Sequence, residues 1–236
     1  MKVVILQPAY LPWLGFFDRI DEADICVILD HVHLDTNSKT RFTNRNKIRT
    51  KNGELWLSLP IVTKGGYQKF HINEIALVQD KWTKKHWKSI EMSYNKANFF
   101  HDYKEIINSW YLKKWSRMQD LLDFTTKDLL NILKIDTKII KSSSLDVNSE
   151  KSDLILDICK KTNADTYLSG PFGRSYLEQK EFKLNNIEVL FHDYNHPVYT
   201  QTYEGFSAYM SVIDLLFNQG ISSMSIIKKG RKFSKC

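Results

Sequence analysis

The opening of the chain, residues 2–30, constrains the fold more than any other segment because it reads as one complete β-α-β unit. An apolar strand at 3–6 is followed by a proline-containing loop, an amphipathic helix at 13–22 and a second apolar strand at 25–29. Strands of a parallel sheet that is covered on both faces are continuous apolar runs, whereas one-sided strands alternate. The pattern therefore predicts an α/β protein with a Rossmann-like, mainly parallel sheet.

Five polar clusters directly follow apolar strands, at the carboxyl edge where open α/β sheets bind their ligands. If these strands are parallel, the clusters meet at one edge, and we expect a shared site there. The clusters are Gln7-Pro8-Ala9-Tyr10, Asp30-His31-Val32-His33, Ser142-Ser143-Ser144, residues 169–174 and residues 192–196. The residues within them to which we assign substrate or phosphate binding are Gln7, Tyr10, Ser142, Ser144, Ser169, Gly170, Gly173 and Arg174.

Between residues 81 and 135 the apolar period becomes helical and predicts three aromatic-rich helices. Because the α/β pattern resumes afterwards, we predict a helical insertion or lid at 81–135 within one α/β domain. Residues 1–80 form the N-terminal part of that domain, and residues 136–236 form its C-terminal part.

Elsewhere the pattern predicts a long loop at 36–53, with a turn at Asn52-Gly53, and short elements separated by turn residues. The predicted strands are 55–62, 70–77, 138–141, 166–168 and 187–191. The predicted helices are one capped at 152 or 153 that ends at 161, a short one ending at 179, and two at 207–217 and 222–229.

The net charge of +7 indicates an anionic partner such as a nucleotide, a sugar phosphate, a nucleic acid or a membrane surface. Part of the excess lies in the tail at 228–235, which we expect to be a frayed, solvated end. Cys26 and Cys159 lie in apolar segments without metal-ligand spacing, which predicts small core residues in a reducing cytoplasm. No signal peptide and no run of about 18 apolar residues is present, so we expect no membrane span.

The turn at 169–174 has the composition of an anion-binding element. Small residues at Ser169, Gly170 and Gly173 let backbone N–H groups approach a phosphate, and Arg174 can bind its oxygens in a bidentate way. A tight strand-to-helix turn with a surface arginine is the alternative.

The long polar loop contains Arg41, Asn44 and Arg45 and is the most basic internal stretch. A basic loop beside a carboxyl-edge site can close over phosphates, as mobile loops do in many transferases. A solvated loop is the alternative, and nucleic-acid binding stays open although no RNA- or DNA-binding motif is recognisable.

Four histidines and one aspartate are the candidates for catalysis. His31, His33, His192 and His196 follow two predicted strands, and Asp30 can orient a histidine or bind a substrate amine. Imidazole and carboxylate groups also suit zinc or iron, but we assign no metal ligand.

Eight segments recur in an order that is typical of one known family: ILQPAYLPWLGFFDRI, ADICVILDHVHL, NRNKIRTKNGELWLSLPI, WTKKHWKSIEMSYNKANFF, IIKSSSL, ADTYLSGPFGRSYL, HPVYTQ and SVIDLLFNQG. In these segments the chain resembles the WbqC-like family, which is found with O-antigen, lipopolysaccharide and other surface-polysaccharide gene clusters. They cover nearly the whole chain in the family's order. The resemblance implies glycyl or other aminoacyl transfer to an amino sugar, and it carries over no catalytic residue.

A second resemblance concerns the nucleotidylyltransferase superfamily, which includes pantothenate synthetase and the class I aminoacyl-tRNA synthetases. The strand, proline-containing loop and early helical glycine are similar to its opening, where a histidine-containing motif binds ATP phosphates. Here Pro12-Trp13-Leu14-Gly15 occupies that place without a histidine. The fold can persist without that motif, but this chain lacks the histidine by which the motif binds ATP.

These observations lead to one main hypothesis, an enzyme that transfers an aminoacyl group to the amine of a nucleotide-linked amino sugar. The acyl donor would be either made in place with ATP or delivered on tRNA, and the sequence leaves open which of these applies, as well as whether the chain forms a homo-oligomer. The alternatives are a glycosyltransferase that uses a nucleotide sugar, or a non-catalytic module of a polysaccharide assembly complex.

Overall fold

A computed structural model describes residues 1–34, 42–62 and 70–235 of the chain. The strands are β1 Lys2–Leu6, β2 Ile25–Ile28, β3 Arg45–Thr50, β4 Gly53–Ser58, β5 Lys138–Lys141, β6 Thr166–Ser169, β7 Glu188–His192 and β8 Phe233–Ser234. The helices are α1 Leu14–Glu22, α2 Trp82–Tyr94, α3 Phe100–Leu112, α4 Met118–Leu133, α5 Lys151–Lys161, α6 Gln179–Leu184, α7 Val212–Gln219 and α8 Ser223–Lys229.

Six of these strands form one sheet in the order β5-β2-β1-β6-β7-β8. All neighbouring pairs are parallel except β7 and β8. Numbered by their order along the chain, the five parallel strands are arranged 3-2-1-4-5. This confirms the predicted Rossmann-like sheet, and the reversal of strand order places a topological switch point between the carboxyl ends of β1 and β6.

Each face of the sheet has its own hydrophobic core, as the continuous apolar strands predict. Val4 and Leu6 of β1 join the apolar faces of α2, α3 and α4 in one cluster. Val3 and Ile5 point the other way and join α5 in a second cluster. Because side chains alternate along a strand, this division shows that β1 is covered on both faces. The three helices predicted at 81–135 are confirmed.

Three local predictions are wrong. The predicted loop at 36–53 contains β3, which pairs with β4 in an antiparallel hairpin. Its sequence hides the strand because most of its side chains are polar and one of its two buried residues is Asn46. The predicted strand at 70–77 instead contains a 3₁₀ helix at Ile72–Glu74. The predicted short helix ending at 179 is a 3₁₀ helix at Pro171–Ser175, and α6 only begins at Gln179.

The C-terminal tail is ordered against the sheet, so the predicted frayed end is wrong. Residues Phe233–Ser234 pair with the end of β7. Arg231 donates from Nε to Asp18 Oδ1 at 2.9 Å and from Nη1 to Glu22 Oε2 at 2.7 Å. These contacts tie the tail to α1, because a buried carboxylate such as Asp18 requires a cation or hydrogen-bond donors.

Cys26 and Cys159 are buried free thiols, in agreement with their predicted place in the core. Burial raises the pKa of each thiol to about 12, so both stay protonated at neutral pH. Within the described ranges, none of the helices combines the length and apolarity that a membrane span requires.

Removal of the Arg231 guanidinium should destabilise the fold strongly. Arg231→Ala leaves the fully buried Asp18 without its cation, and we expect the free energy of unfolding to fall by about 2–3 kcal/mol. Lys228→Ala removes a more exposed ion pair with Asp21 and should cost less than about 1 kcal/mol. Urea denaturation of both variants checks this, and equal losses would contradict the role assigned to Arg231.

Candidate functional site

A cavity of about 660 Å³ opens at the switch point, between α1 and the carboxyl ends of β6 and β7. Ligand pockets in enzymes commonly have volumes of roughly 300–1,000 Å³. Its lining residues, which define the switch-point crevice, are Trp13, Arg19, Phe42, Lys47, Trp56, Gly170, Pro171, Phe172, His192, Asp193, Tyr194 and Tyr209. The cavity therefore has the place and the size that the topology leads us to expect for a binding site.

Aromatic rings form much of the crevice wall. The Trp13 ring lies edge-on to Tyr194 at a centroid distance of 5.5 Å and contacts Tyr209 at 5.8 Å. Trp56 and Phe172 are 42% and 67% exposed, so they lie at the mouth of the crevice. Such rings stack on nucleobases, whose flat faces they match.

His192 is held in the crevice by a buried carboxylate. Its Nε2 hydrogen-bonds to Asp18 Oδ2 at 2.8 Å, and Arg231 binds the other oxygen of Asp18. Because the Nε2–H group donates this hydrogen bond to the carboxylate, the neutral ring keeps its lone pair on Nδ1. Burial lowers the pKa of His192 and outweighs the opposing hydrogen bond from Asp18. His192 is therefore neutral at pH 7 and can accept a proton.

The charged groups of the crevice differ in their pairing. Lys47 lies 2.7 Å from Glu54, and Asp193 receives two hydrogen bonds from Arg174, at 2.8 and 2.9 Å. Arg19 has a buried Nε without a hydrogen-bond partner. Arg19 was not predicted as a site residue, because the helical pattern does not distinguish it from the other charged residues of α1.

Two of the predicted clusters meet at the ends of β2 and β5. The Asp30 carboxylate accepts hydrogen bonds from the Ser143 backbone N–H at 2.9 Å, the Ser143 hydroxyl at 2.6 Å and the Ser142 hydroxyl at 3.1 Å. Burial alone would raise the pKa of Asp30, but these bonds lower it below its ordinary value. His31 Nδ1 lies 2.6 Å from Ser142 Oγ, and Ser144 bonds to the backbone of its own turn. The carboxylate is thus fixed and ionised.

His33 continues this cluster towards solvent. Its ring lies 4.8 Å from that of His71, and its Nδ1 contacts the Phe70 carbonyl at 3.2 Å. Across the ranges that the structure describes, no group of three or more histidine, cysteine or carboxylate side chains has the arrangement of a metal site. None of the Asp30 cluster lines the switch-point crevice, so the carboxyl edge carries two separate polar groups.

Other predicted residues lie near the edge in different environments. Tyr10 is fully buried, and its hydroxyl bonds to His86 Nδ1 at 2.9 Å and to Tyr111 at 2.8 Å. Gln7 is exposed and accepts a long hydrogen bond from Thr43.

The predicted basic loop is only partly described. Arg45 lies over the Trp56 ring at 4.7 Å, beside the mouth of the crevice. The buried Asn44 donates to the Leu59 carbonyl at 3.4 Å. Arg41 lies outside the described residues.

The turn after β6 is tightly packed. A Cβ at Gly173 would come within 2.1 Å of Ser169 Oγ, so a glycine is required there. Gly170 lines the crevice, whereas Arg174 binds Asp193 and lies over the Phe191 ring at 4.4 Å.

His196 lies behind the crevice wall, 4.9 Å from the Tyr209 ring, and its Nδ1 bonds to the Pro197 carbonyl. Burial lowers the pKa of His196. Of the predicted residues, Gly170 and His192 thus come together in the crevice, and the functional assignments of all of them stay predictions.

Comparison with known proteins gives one family and one relative. A model of the WbqC-like protein family matches residues 7–226. An uncharacterized protein of Mycobacterium tuberculosis is 32% identical over 238 residues, which covers 98% of this chain and 99% of the relative. No solved structure matches the chain significantly.

The buried Tyr10–His86–Tyr111 cluster should make folding sensitive to acid. Burial lowers the pKa of His86 to about 4, below its ordinary value of 6.5. The neutral His86 therefore contributes its full share of the free energy of unfolding above pH 6.5, and this share is lost as the pH falls towards 4. When the pH is lowered from 7 to 4.5, the free energy of unfolding of His86→Gln should decrease by about 2–3 kcal/mol less than that of the wild type.

Denaturant titrations at both pH values check this expectation. His101→Gln, at an exposed histidine of α3, is the matched control and should follow the wild type. The same acid loss in His86→Gln and in the wild type would show that His86 does not carry this effect.

Proposed function

The chain belongs to the WbqC-like protein family, and from this premise we propose that it is a transferase that acts in the switch-point crevice. Membership of the family indicates a role in polysaccharide biosynthesis. The reaction that we propose is transfer of an aminoacyl group, with glycyl as the first candidate, to the amine of a nucleotide-linked amino sugar.

The observation that carries this proposal is His192, a neutral imidazole oriented by Asp18 inside an aromatic-walled crevice. An amino sugar is protonated at neutral pH and becomes a nucleophile only after it loses a proton. A base with a pKa below neutrality, held by a carboxylate on its other nitrogen, suits that task. The same paired arrangement orients the base in many acyl-transfer enzymes.

The chemistry balances with two substrates and no redox step. The ammonium first passes a proton to Nδ1 of His192. The free amine then attacks the carbonyl carbon of an activated aminoacyl group, and a C–N bond forms. As the bond between the carbonyl carbon and the leaving oxygen breaks, the nitrogen loses its second proton, which goes to the departing ribose hydroxyl for aminoacyl-tRNA or to solvent when AMP leaves from an aminoacyl adenylate.

The crevice also supports this choice through its walls and volume. Trp13, Trp56 and Tyr209 offer faces for a base or a sugar ring, and a cavity of about 660 Å³ can hold most of a nucleotide sugar. His31, His33 and His196 lie outside the lining, which makes His192 the preferred base among the four histidine candidates.

A direct assay tests the activity. Purified protein is incubated with UDP- and dTDP-linked amino sugars together with glycine and ATP, or with glycyl-tRNA, and mass spectrometry detects the amide. His192→Gln keeps a donor for Asp18 but lacks the base, and we expect kcat/KM to fall by about 10²–10⁴. His101→Gln should retain full activity.

The pH profile gives a second readout. Because burial lowers the pKa of His192, the acidic limb of kcat/KM should lie below pH 6.5. Absence of an amide product with either donor would remove the proposal. Release of free nucleoside diphosphate without an amide would favour glycosyl transfer instead.

A further inference from the structure

Arg19 is a charged residue of the crevice without a partner. It lies on α1, is only partly exposed, and its Nε is buried without a hydrogen bond. Arg19 forms neither a hydrogen bond nor an ion pair with any residue in the described part of the chain. An arginine in this state is uncommon, because buried guanidinium groups are normally paired.

The remaining charges of the crevice do not compensate it. Lys47 is paired with Glu54 at 2.7 Å, and Asp193 is paired with Arg174 at 2.8 Å. Each pair is close to neutral as a unit. Arg19 therefore leaves one uncompensated positive charge in the crevice among the residues that the structure describes.

The neighbours of Arg19 also fail to neutralise it. Asp18 is adjacent, but its two oxygens bind His192 and Arg231. Tyr167 and Cys26 are buried, neutral groups near the guanidinium. Leaving such a charge unpaired costs the folded protein free energy, and a bound anion would offset that cost.

Gly170 gives an anion room to approach Arg19. A Cβ at this position would lie 3.0 Å from Arg19 Nη1, which is tighter than ordinary contact. Without a side chain, the backbone after β6 and the guanidinium face the same space at the switch point. This is the place where doubly wound sheets bind phosphorylated ligands.

We propose that Arg19 binds the diphosphate of a nucleoside diphosphate-linked substrate in the switch-point crevice, while the aromatic wall stacks on its base. The sugar and the reaction rest on the proposed function, whereas nucleotide binding by Arg19 does not depend on it. A guanidinium binds phosphate oxygens in a bidentate way. A diphosphate therefore matches the unpaired Arg19 and the aromatic wall of the crevice better than a single carboxylate does.

Binding measurements test this without any turnover. UDP, dTDP, uridine, inorganic diphosphate and glycine are titrated into the wild type by isothermal calorimetry. We expect UDP or dTDP to bind, uridine and glycine to bind at least tenfold more weakly, and Arg19→Gln to weaken UDP or dTDP about 10–100-fold. Arg117→Gln, at an exposed arginine on the N-terminal side of α4, is the matched control and should change affinity less than twofold.

A second variant keeps the positive charge of Arg19 and changes only the position of its guanidinium. Gly170→Ala places a methyl group against the guanidinium and should weaken nucleotide binding about 3–10-fold. Arg19→Gln should unfold at the same or a higher denaturant concentration than the wild type, since it removes an unpaired charge. A lower midpoint would mean that Arg19 has a structural partner, and it would overturn the proposal.

The outcomes separate this inference from the proposed function. Arg19-dependent nucleotide binding without an amide product would sink the proposed activity and leave this inference standing. The inference would be overturned if Arg19→Gln and the wild type bound nucleotides with equal affinity. It would also be overturned if nucleotides did not bind and glycine bound in a way that depends on Arg19.

Discussion

The carboxylate of Asp18 is the group on which the architecture of the crevice depends. It is fully buried, and its two oxygens bind His192 at the end of β7 and Arg231 in the C-terminal segment. A buried carboxylate that lost these partners would carry a desolvation cost of several kcal/mol. One side chain on α1 thus fixes the helix, the last parallel strand and the tail relative to one another.

Asp18 and Arg19 are adjacent but have opposite states. Asp18 is saturated by protein groups, whereas Arg19 has no partner within the described residues. The first arrangement stabilises the fold and orients His192, while the second costs free energy unless an anion is present. Structural and ligand-binding roles are therefore divided between consecutive residues of the helix that follows β1.

Sequence patterning predicted the sheet and the edge at which the polar clusters lie, but it did not predict which clusters contact one another. Because β2 and β5 are neighbours, Asp30 meets Ser142 and Ser143, and this cluster is separate from the crevice. Gly170 and His192 meet because β6 and β7 are neighbours. Arg19 was not predicted, since nothing in a helical pattern reveals that one charged residue faces a cavity without a counter-ion. The tail was mispredicted for a related reason, as its partners lie some two hundred residues earlier in the chain.

The sequence by itself determined the α/β class, the parallel strands and the carboxyl edge as the place of the polar clusters. Those features follow from local hydrophobic patterns, which record whether a segment is covered on one face or two. Only the tertiary structure decided the strand order, the switch point between β1 and β6, and the pairing of each charge. Charge pairing depends on contacts between residues far apart in the chain, so it is fixed only when the whole domain has folded.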